Sequence, residues 1–305
     1  MLSFIIRRLL LVIPMALIAV TVTWGLIRVA PGNFYSSEKK LPPAIEKNIR
    51  EKYGLDKSWI EQYGIMMWNV VRLDFGESLK FEGQSVNEMI ARHFPYSATI
   101  GFFAYILALI IGLTAGIIAA LKQNSAFDYG SMAAAMLGLS VPSFVLGPIL
   151  VLIFSLWLYL FPPARWGGFL ALILPIVTLS ASYAAYIARL TRAGMLEVLR
   201  SDYIRTARAK GLDEKTVLMK HAFRGGIIPV VSFTGPALAG LLAGTVVVEK
   251  VFAIPGLGNI FIQAVLNRDE PVIIGIVAFL SILVMVFNLL VDISYGFLDP
   301  RIRYE

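Results

Sequence analysis

The stretch Ser201 to Arg224, SDYIRTARAKGLDEKTVLMKHAFR, interleaves guanidinium and ammonium groups with small residues and sits between two strongly apolar runs. That mixture suits docking rather than bond chemistry. Tyr203 to Lys210 is compatible with a short helix, with Ile204 and Ala207 sharing one face and Arg205 and Arg208 another. Gly211 ends it. Asp213 fits the N-cap of a second helix with Glu214 in its first turn, running on through Val217, Leu218 and Ala222. The spacing predicts a helix, glycine, helix elbow in which Ala207, Ala209 and Gly211 let a partner's groove approach the backbone while the arginines orient it. Three other readings compete. The charge could answer to topology alone, since a Lys or Arg near anionic headgroups gains about 1 kcal/mol. The segment could also be a surface-lying amphipathic helix. Nucleic-acid binding is disfavoured, because one short elbow offers no aromatic stacking platform and no groove-sized basic surface.

Elsewhere the chemistry-bearing residues are sparse. There is no cysteine, hence no disulfide or thiolate metal site, and no Gly-Lys pair, hence no phosphate-cradling loop of the Walker type. Polar or helix-breaking residues inside the apolar runs are candidates for a translocation path: Ser140, Pro142 and Ser143; Thr178, Ser182 and Tyr183; Ser232, Thr234 and Pro236. The same residue types also serve plain helix packing in membranes. Arg28, Glu249 and Lys250 fall near the outer ends of apolar runs, where snorkelling keeps charges solvated. Asp292 lies near the end of the last run, with Arg301 and Arg303 within reach as ion-pair partners; an isolated buried acid would also suit a proton relay.

The elements that must position these residues are membrane helices. The 305 residues are 58% hydrophobic and 15% charged, with a mean hydropathy of +0.75, against roughly a quarter charged in soluble domains. Runs long enough to cross a bilayer cover Leu9 to Val29, Tyr96 to Leu121, Tyr129 to Phe161, Phe169 to Leu190, Ile227 to Val248 and Val272 to Phe297. The expected fold is an all-α polytopic membrane protein with six transmembrane helices. The third run is longer than one crossing, so its outer part, with Trp157 and Tyr159, is expected to tilt or lie at the interface. Arg7 and Arg8 before an apolar run without a small-residue cleavage site read as a retained signal anchor.

Charge sets the sidedness. Arg189 to Arg224 holds nine basic residues against four acidic ones, whereas Ala30 to Phe94 holds nine of each. By the positive-inside rule both termini and the elbow are cytoplasmic. Three regions follow: 1–29, the cytoplasmic end and first span; 30–95, an extracytoplasmic loop; and 96–305, a five-helix core carrying the elbow at about 190–226. In the loop, Glu46, Arg50, Tyr53 and Ser58 to Leu73 are spaced as short surface helices, with Pro42 and Pro43 at a helix start. They would serve either as a packing cap or as a platform for an outside partner.

The run YIRTARAKGL followed by HAFRGGIIPV resembles the cytoplasmic signature loop of the inner-membrane permease subunits of ATP-binding-cassette importers, in particular the peptide branch. The likeness extends through FIIRRLLLVIP, LDFGESL, AALKQNSAFD, GLSVPSFV, IPGLGNIFIQAVLNRDEPV and VDISYGFLDPRIRY. The superfamily loop begins Glu-Ala-Ala with Gly four positions beyond the second Ala; here those places hold Arg205, Thr206, Ala207 and Gly211, and Phe223 and Arg224 replace the usual closing Leu-Pro. The basic version characterises the peptide branch.

The resemblance implies a type I importer permease fold, N-in and C-in, in a bacterial cytoplasmic membrane. It implies no catalytic residues and no cofactor or metal on this chain, ATP and magnesium being used by partner ATPases. It further implies that Tyr203, Arg205, Thr206, Ala207, Arg208, Ala209, Lys210, Gly211 and Leu212 form a coupling helix seated in an ATPase groove. The implied partners are a second homologous permease subunit, two ATPase subunits, an extracytoplasmic solute-binding protein, a peptide substrate and the lipid bilayer. The alternative is a self-sufficient ion-coupled secondary transporter, which should show several intramembrane acids or broken helices in paired repeats.

Overall fold

The computed structural model describes residues 2–29, 54, 56–81 and 83–298; side chains are described from residue 10 onward, except at 242–245 and 294–298. Glu46, Arg50, Tyr53, Pro42 and Pro43, and the partners Arg301 and Arg303 considered for Asp292, lie outside the described residues. The helices are α1 (Leu2–Val29), α2 (Trp59–Val71), α3 (Val86–Leu121), α4 (Ala126–Ser140), α5 (Ser143–Leu150), α6 (Phe169–Leu199), α7 (Asp202–Ala209), α8 (Glu214–Thr216), α9 (Phe223–Gly226), α10 (Ile228–Val251), α11 (Leu257–Asn267) and α12 (Glu270–Leu298). Among the described residues the only pairing of extended backbone is one isolated bridge between Glu77 and Ser85.

Five helices, α1, α3, α6, α10 and α12, are long and apolar enough to cross a membrane. A sixth crossing requires a broken pair to act as one span: α4 and α5, the latter continuing as π-helical turns over Val151–Trp157, meet at 105°. The long third run is therefore not a tilted continuous helix. Its break has a local cause. Proline disfavours the helical conformation in the residue before it, and here Val141 is extended at φ −87, ψ 114, while Pro142 caps α5. Trp157, at the end of the π turns, and Tyr159, beyond them, are exposed, as residues of an interfacial belt would be. The second run is longer than its apolar stretch: α3 starts at Val86 and passes through Pro95 without ending.

The core is built where α3, α6 and α10 meet, around Ile100, Ala104, Leu179, Ile187, Ala237 and Leu241. Lipid is as apolar as these side chains, so close approach rather than water exclusion must hold the helices together. α3 and α6 approach through Gly112 and Gly116, where a Cβ would stand 2.6 Å from Ile187 Cγ2 and 2.5 Å from Thr191 Cβ, respectively.

On the outer side the elements are tied by polar contacts. Ser58 and Glu61 form a reciprocal capping box that starts α2. α2 leans on α1 through Tyr63, whose hydroxyl is 2.8 Å from Thr21 Oγ1. Arg28 donates to Gln62 at 2.7 Å and to Glu270 at 3.0 Å. Asp269, almost fully buried, accepts from the Ser78 hydroxyl and from the Leu79 N–H at 3.0 Å, joining the LDFGESL turn to the start of α12.

Glu249 corrects the expectation of a solvated, snorkelling charge: it is 0% exposed. Its carboxylate accepts from Ser97 Oγ at 2.6 Å and from the Asn259 N–H at 3.1 Å, and Ser97 Oγ in turn accepts from the Leu257 N–H at 2.8 Å. The cap residue of α11 is Gly256, which has no side chain to satisfy the first-turn donors. α3 and α10 supply the acceptors instead, and a negative group suits a helix N-terminus.

Candidate functional site

The elbow forms as its residues dictate. α7 opens after Ser201 with Asp202 in its first turn, where an acid complements the helix dipole. Ile204 is fully buried and packs with Met195, Ala120, Val217 and Ala222, so the short helix is seated on the inner ends of α3 and α6. At its C-terminus the Gly211 N–H bonds Arg208 O at 2.9 Å and the Leu212 N–H bonds Ala207 O at 3.4 Å, the paired pattern of a Schellman cap. That cap needs a left-handed residue, and Gly211 supplies it at φ +78. A Cβ there would meet nothing within 4 Å, so the demand for glycine is conformational, not steric.

Asp213 caps α8 as expected, accepting from the Thr216 N–H at 3.0 Å. Hydrogen bonds from Thr216, side chain first and then backbone, hold the Asp213 carboxyl below its ordinary range. Across the turn, Arg208 Nη2 and Nε reach the Glu214 carboxylate at 2.6 and 3.1 Å. This fork-to-fork pair lowers the Glu214 carboxyl and raises the Arg208 guanidinium. The second arm is not one regular helix: α8 passes into π-helical turns over Val217–Ala222 and then α9. It is pinned to α6 where a Cβ on Gly194 would overlap the Gly226 carbonyl oxygen, and to Tyr203, whose hydroxyl lies 3.0 Å from where a Gly225 Cβ would be.

Eight of the nine predicted docking residues face solvent: Tyr203, Arg205, Thr206, Arg208, Ala209, Lys210, Gly211 and Leu212. Ala207 does not. It is 6% exposed and packs beside Ile204 against the elbow's own support, because it falls on the buried face of α7. It anchors the elbow rather than offering it. The outward surface is cationic and small, held from behind by an apolar seam.

The path candidates scatter. Ser140, Pro142 and Ser143 sit at the 105° bend, the first two exposed and Ser143 half-buried. Thr178 is buried, donates to Leu174 O at 2.7 Å and lies against Gly147 of α5; it is a packing residue and leaves the set of path candidates. Ser182 is half-buried. Tyr183 stacks on Phe233 with ring centroids 6.3 Å apart and covers Gly240. Thr234 accepts from the Tyr105 hydroxyl at 2.5 Å. Ser232 and Pro236 are exposed one turn apart on α10.

Sequence reasoning missed the ion pair that ties α4 to α6, the membrane helix leading into the elbow. Asp128, buried in the first turn of α4, receives Arg192 Nε at 2.6 Å and Nη2 at 2.8 Å. The available signal was local: Ser125 and Asp128 have N-cap and N3 spacing, and Ser125 Oγ does accept from the Asp128 N–H. Among the described residues no group of three or more His, Asp or Glu side chains is placed to hold a metal ion.

Residues 112–304 match the family described as "Binding-protein-dependent transport system inner membrane component". Over its whole length the chain is 44% identical to the oligopeptide transport system permease protein OppB of Haemophilus influenzae and 44% identical to OppB of Escherichia coli K12, covering all of both. It is 41% identical to the dipeptide transport system permease protein DppB of Bacillus subtilis, over 99% of this chain and 98% of that protein. Inward-facing crystal forms of the MetNI methionine ABC transporter share the fold, with TM-scores of 0.57 and 0.60 at 18% and 19% identity, covering 69% of this chain and 96% of the other.

Proposed function

The chain belongs to the family of binding-protein-dependent transport system inner membrane components, multi-pass proteins of the cytoplasmic membrane, and from that footing we propose that it is the permease subunit of an ATP-driven peptide importer. It contributes half of a translocation pathway and carries no hydrolytic chemistry of its own. Its partners are a homologous second permease, two ATPase subunits that bind ATP and magnesium, and an extracytoplasmic solute-binding protein that delivers the peptide. The names of the full-length relatives support the peptide assignment, oligopeptides ahead of dipeptides.

One observation carries the coupling role. The elbow presents Tyr203, Arg205, Arg208, Lys210 and Leu212 to solvent while Ile204 and Ala207 bind it to two membrane helices. A push on the exposed face is therefore delivered to α3 and α6 as rigid bodies, the kind of element by which ATP-driven closure can move a permease between inward- and outward-facing states. The ion-coupled alternative needs carboxylates free to relay protons. The buried acids Asp128, Glu249 and Asp269 and the half-buried Glu270 each have donors in place, which favours structural roles for them.

The test is to purify the chain from its native membrane, identify the proteins that accompany it, and measure uptake by the reconstituted assembly. Recovery with a second permease and ATPases, and peptide uptake dependent on ATP, is expected. Uptake by the chain alone driven by an ion gradient would overturn the proposal.

A further inference from the structure

Between α4 and α6 near the cytoplasmic end lies a cavity of about 340 Å³ lined by Met132, Tyr186, Arg189, Leu190, Arg192 and Ala193. Its size falls within the range of small-molecule sites. Two guanidinium groups one turn apart on α6 face the same space, and their circumstances differ. Arg192 is spent: both of its contacting nitrogens go to Asp128, which also accepts from the Asn124 N–H at 3.0 Å. Arg189 is exposed and, among the described residues, makes no hydrogen bond or ion pair. The cavity thus holds one uncompensated cation beside a compensated one, a charge balance that suits a monoanion.

Depth and lining narrow the ligand. At 1.5 Å per residue Arg189 lies about 30 Å along α6 from Phe169, one hydrocarbon thickness, which places it at the level of the inner headgroups. Tyr186, one turn toward the membrane, packs its ring on Phe233 at 4.3 Å and carries its hydroxyl at the boundary where amphipathic rings collect. Met132, Leu190 and Ala193 give the same space apolar walls. A basic pocket between transmembrane helices on the cytoplasmic side is the usual form of an anionic-lipid site.

We propose that this cavity binds the phosphodiester headgroup of an anionic phospholipid of the inner leaflet, with Arg189 as the phosphate contact, Tyr186 as the interfacial hydroxyl, and Met132 and Leu190 against the upper acyl chains. Arg192, fixed by Asp128, shapes the site and adds field rather than a free charge. The site is separate from the coupling elbow and does not rest on the peptide assignment.

The experiment uses the complex purified in mild detergent, delipidated, and titrated with phosphatidylglycerol or phosphatidylethanolamine while bound lipid is counted by native mass spectrometry. The complex is expected to retain phosphatidylglycerol selectively, with Arg189→Gln weakening it about fivefold, the weight of one basic contact near a charged surface. Arg189→Lys should keep most of the binding, which also shows that position 189 tolerates change. Arg200→Gln, an equal loss of charge outside the cavity, should leave binding unchanged. Excess inorganic phosphate failing to displace the lipid identifies a lipid site; displacement by phosphate alone at matched concentration would reduce it to a free-anion site and overturn the proposal. Equal loss in the Arg189 and Arg200 variants would also overturn it. So would unchanged lipid retention in Arg189→Gln accompanied by loss of uptake only for peptides with a free C-terminal carboxylate, since the cavity would then belong to the substrate.

Discussion

Gly194 of α6 and Gly226 of α9 meet backbone to backbone: a Cβ on Gly194 would overlap the Gly226 carbonyl oxygen and crowd Pro229 Cγ at 3.3 Å. The obstacle is backbone, not the end of a flexible side chain, so it cannot step aside. Gly194→Ala is expected to cost about 1–3 kcal/mol through overpacking and to lift the second arm of the elbow away from α6. Amide exchange should then rise across residues 202–226 while α3, α10 and α12 remain protected. Unchanged exchange in the elbow would show that the contact does not hold it.

Gly211 should behave differently, because open space surrounds it and only its left-handed backbone is demanding. Gly211→Val places a β-branched residue in that conformation at a cost of about 1–2 kcal/mol or more and undoes the cap. Gly211→Asn, tolerated in such caps, should be close to wild type. The expected outcome for Val is an intact membrane fold with ATP hydrolysis separated from uptake. Normal uptake in Gly211→Val would sink the coupling role of this turn.

Removing the buried carboxylate at position 249 orphans two donors at once. Glu249→Ala leaves the Ser97 hydroxyl and the Asn259 N–H unpaired, at about 1–3 kcal/mol for each group left buried without a partner. Glu249→Gln keeps an acceptor and should lose less. Thermal unfolding of the purified protein, with protease access to residues 254–269 as the local readout, should rank wild type above Gln above Ala. An Ala variant as stable as wild type would mean that other groups cap α11.

The elbow's turn should be insensitive to pH near neutrality and weaken in acid. Arg208 holds the Glu214 carboxyl, and Thr216 the Asp213 carboxyl, below their ordinary values. Groups with depressed folded values stabilise fully above their unfolded values, about 4.3 for Glu and 3.9 for Asp, and that contribution disappears as pH falls through the lower folded values. Amide protection at Thr216, corrected for intrinsic exchange rate, should stay flat from neutral pH down to about 5 and fall below about 4. Glu214→Gln should remove its share of that acid response; a flat profile throughout in wild type would contradict the assignment.

Local pattern made much of this protein legible. Run length sets how many helices can span, because a lipid-facing backbone must satisfy itself, and the excess of basic residues from Arg189 to Arg224 sets which side is inside. Gly211 and Asp213 were readable as a helix stop and a helix start because caps are decided by one residue and its immediate neighbours.

Tertiary structure decided the rest. That Ala207 faces inward follows from the inner ends of α3 and α6 lying beneath it, which the four residues of a helical turn cannot report. Pro142 announced a break, yet the 105° bend is set by what the two halves pack against. Glu249 looked like a charge at a helix end until Ser97 and Asn259 closed around it, and Asp128 finds Arg192, and Asp269 finds Ser78, across long stretches of chain. Periodicity and caps are local physics. Whether a carboxylate is solvated or buried depends on which helices meet, and that is a property of the assembled bundle alone.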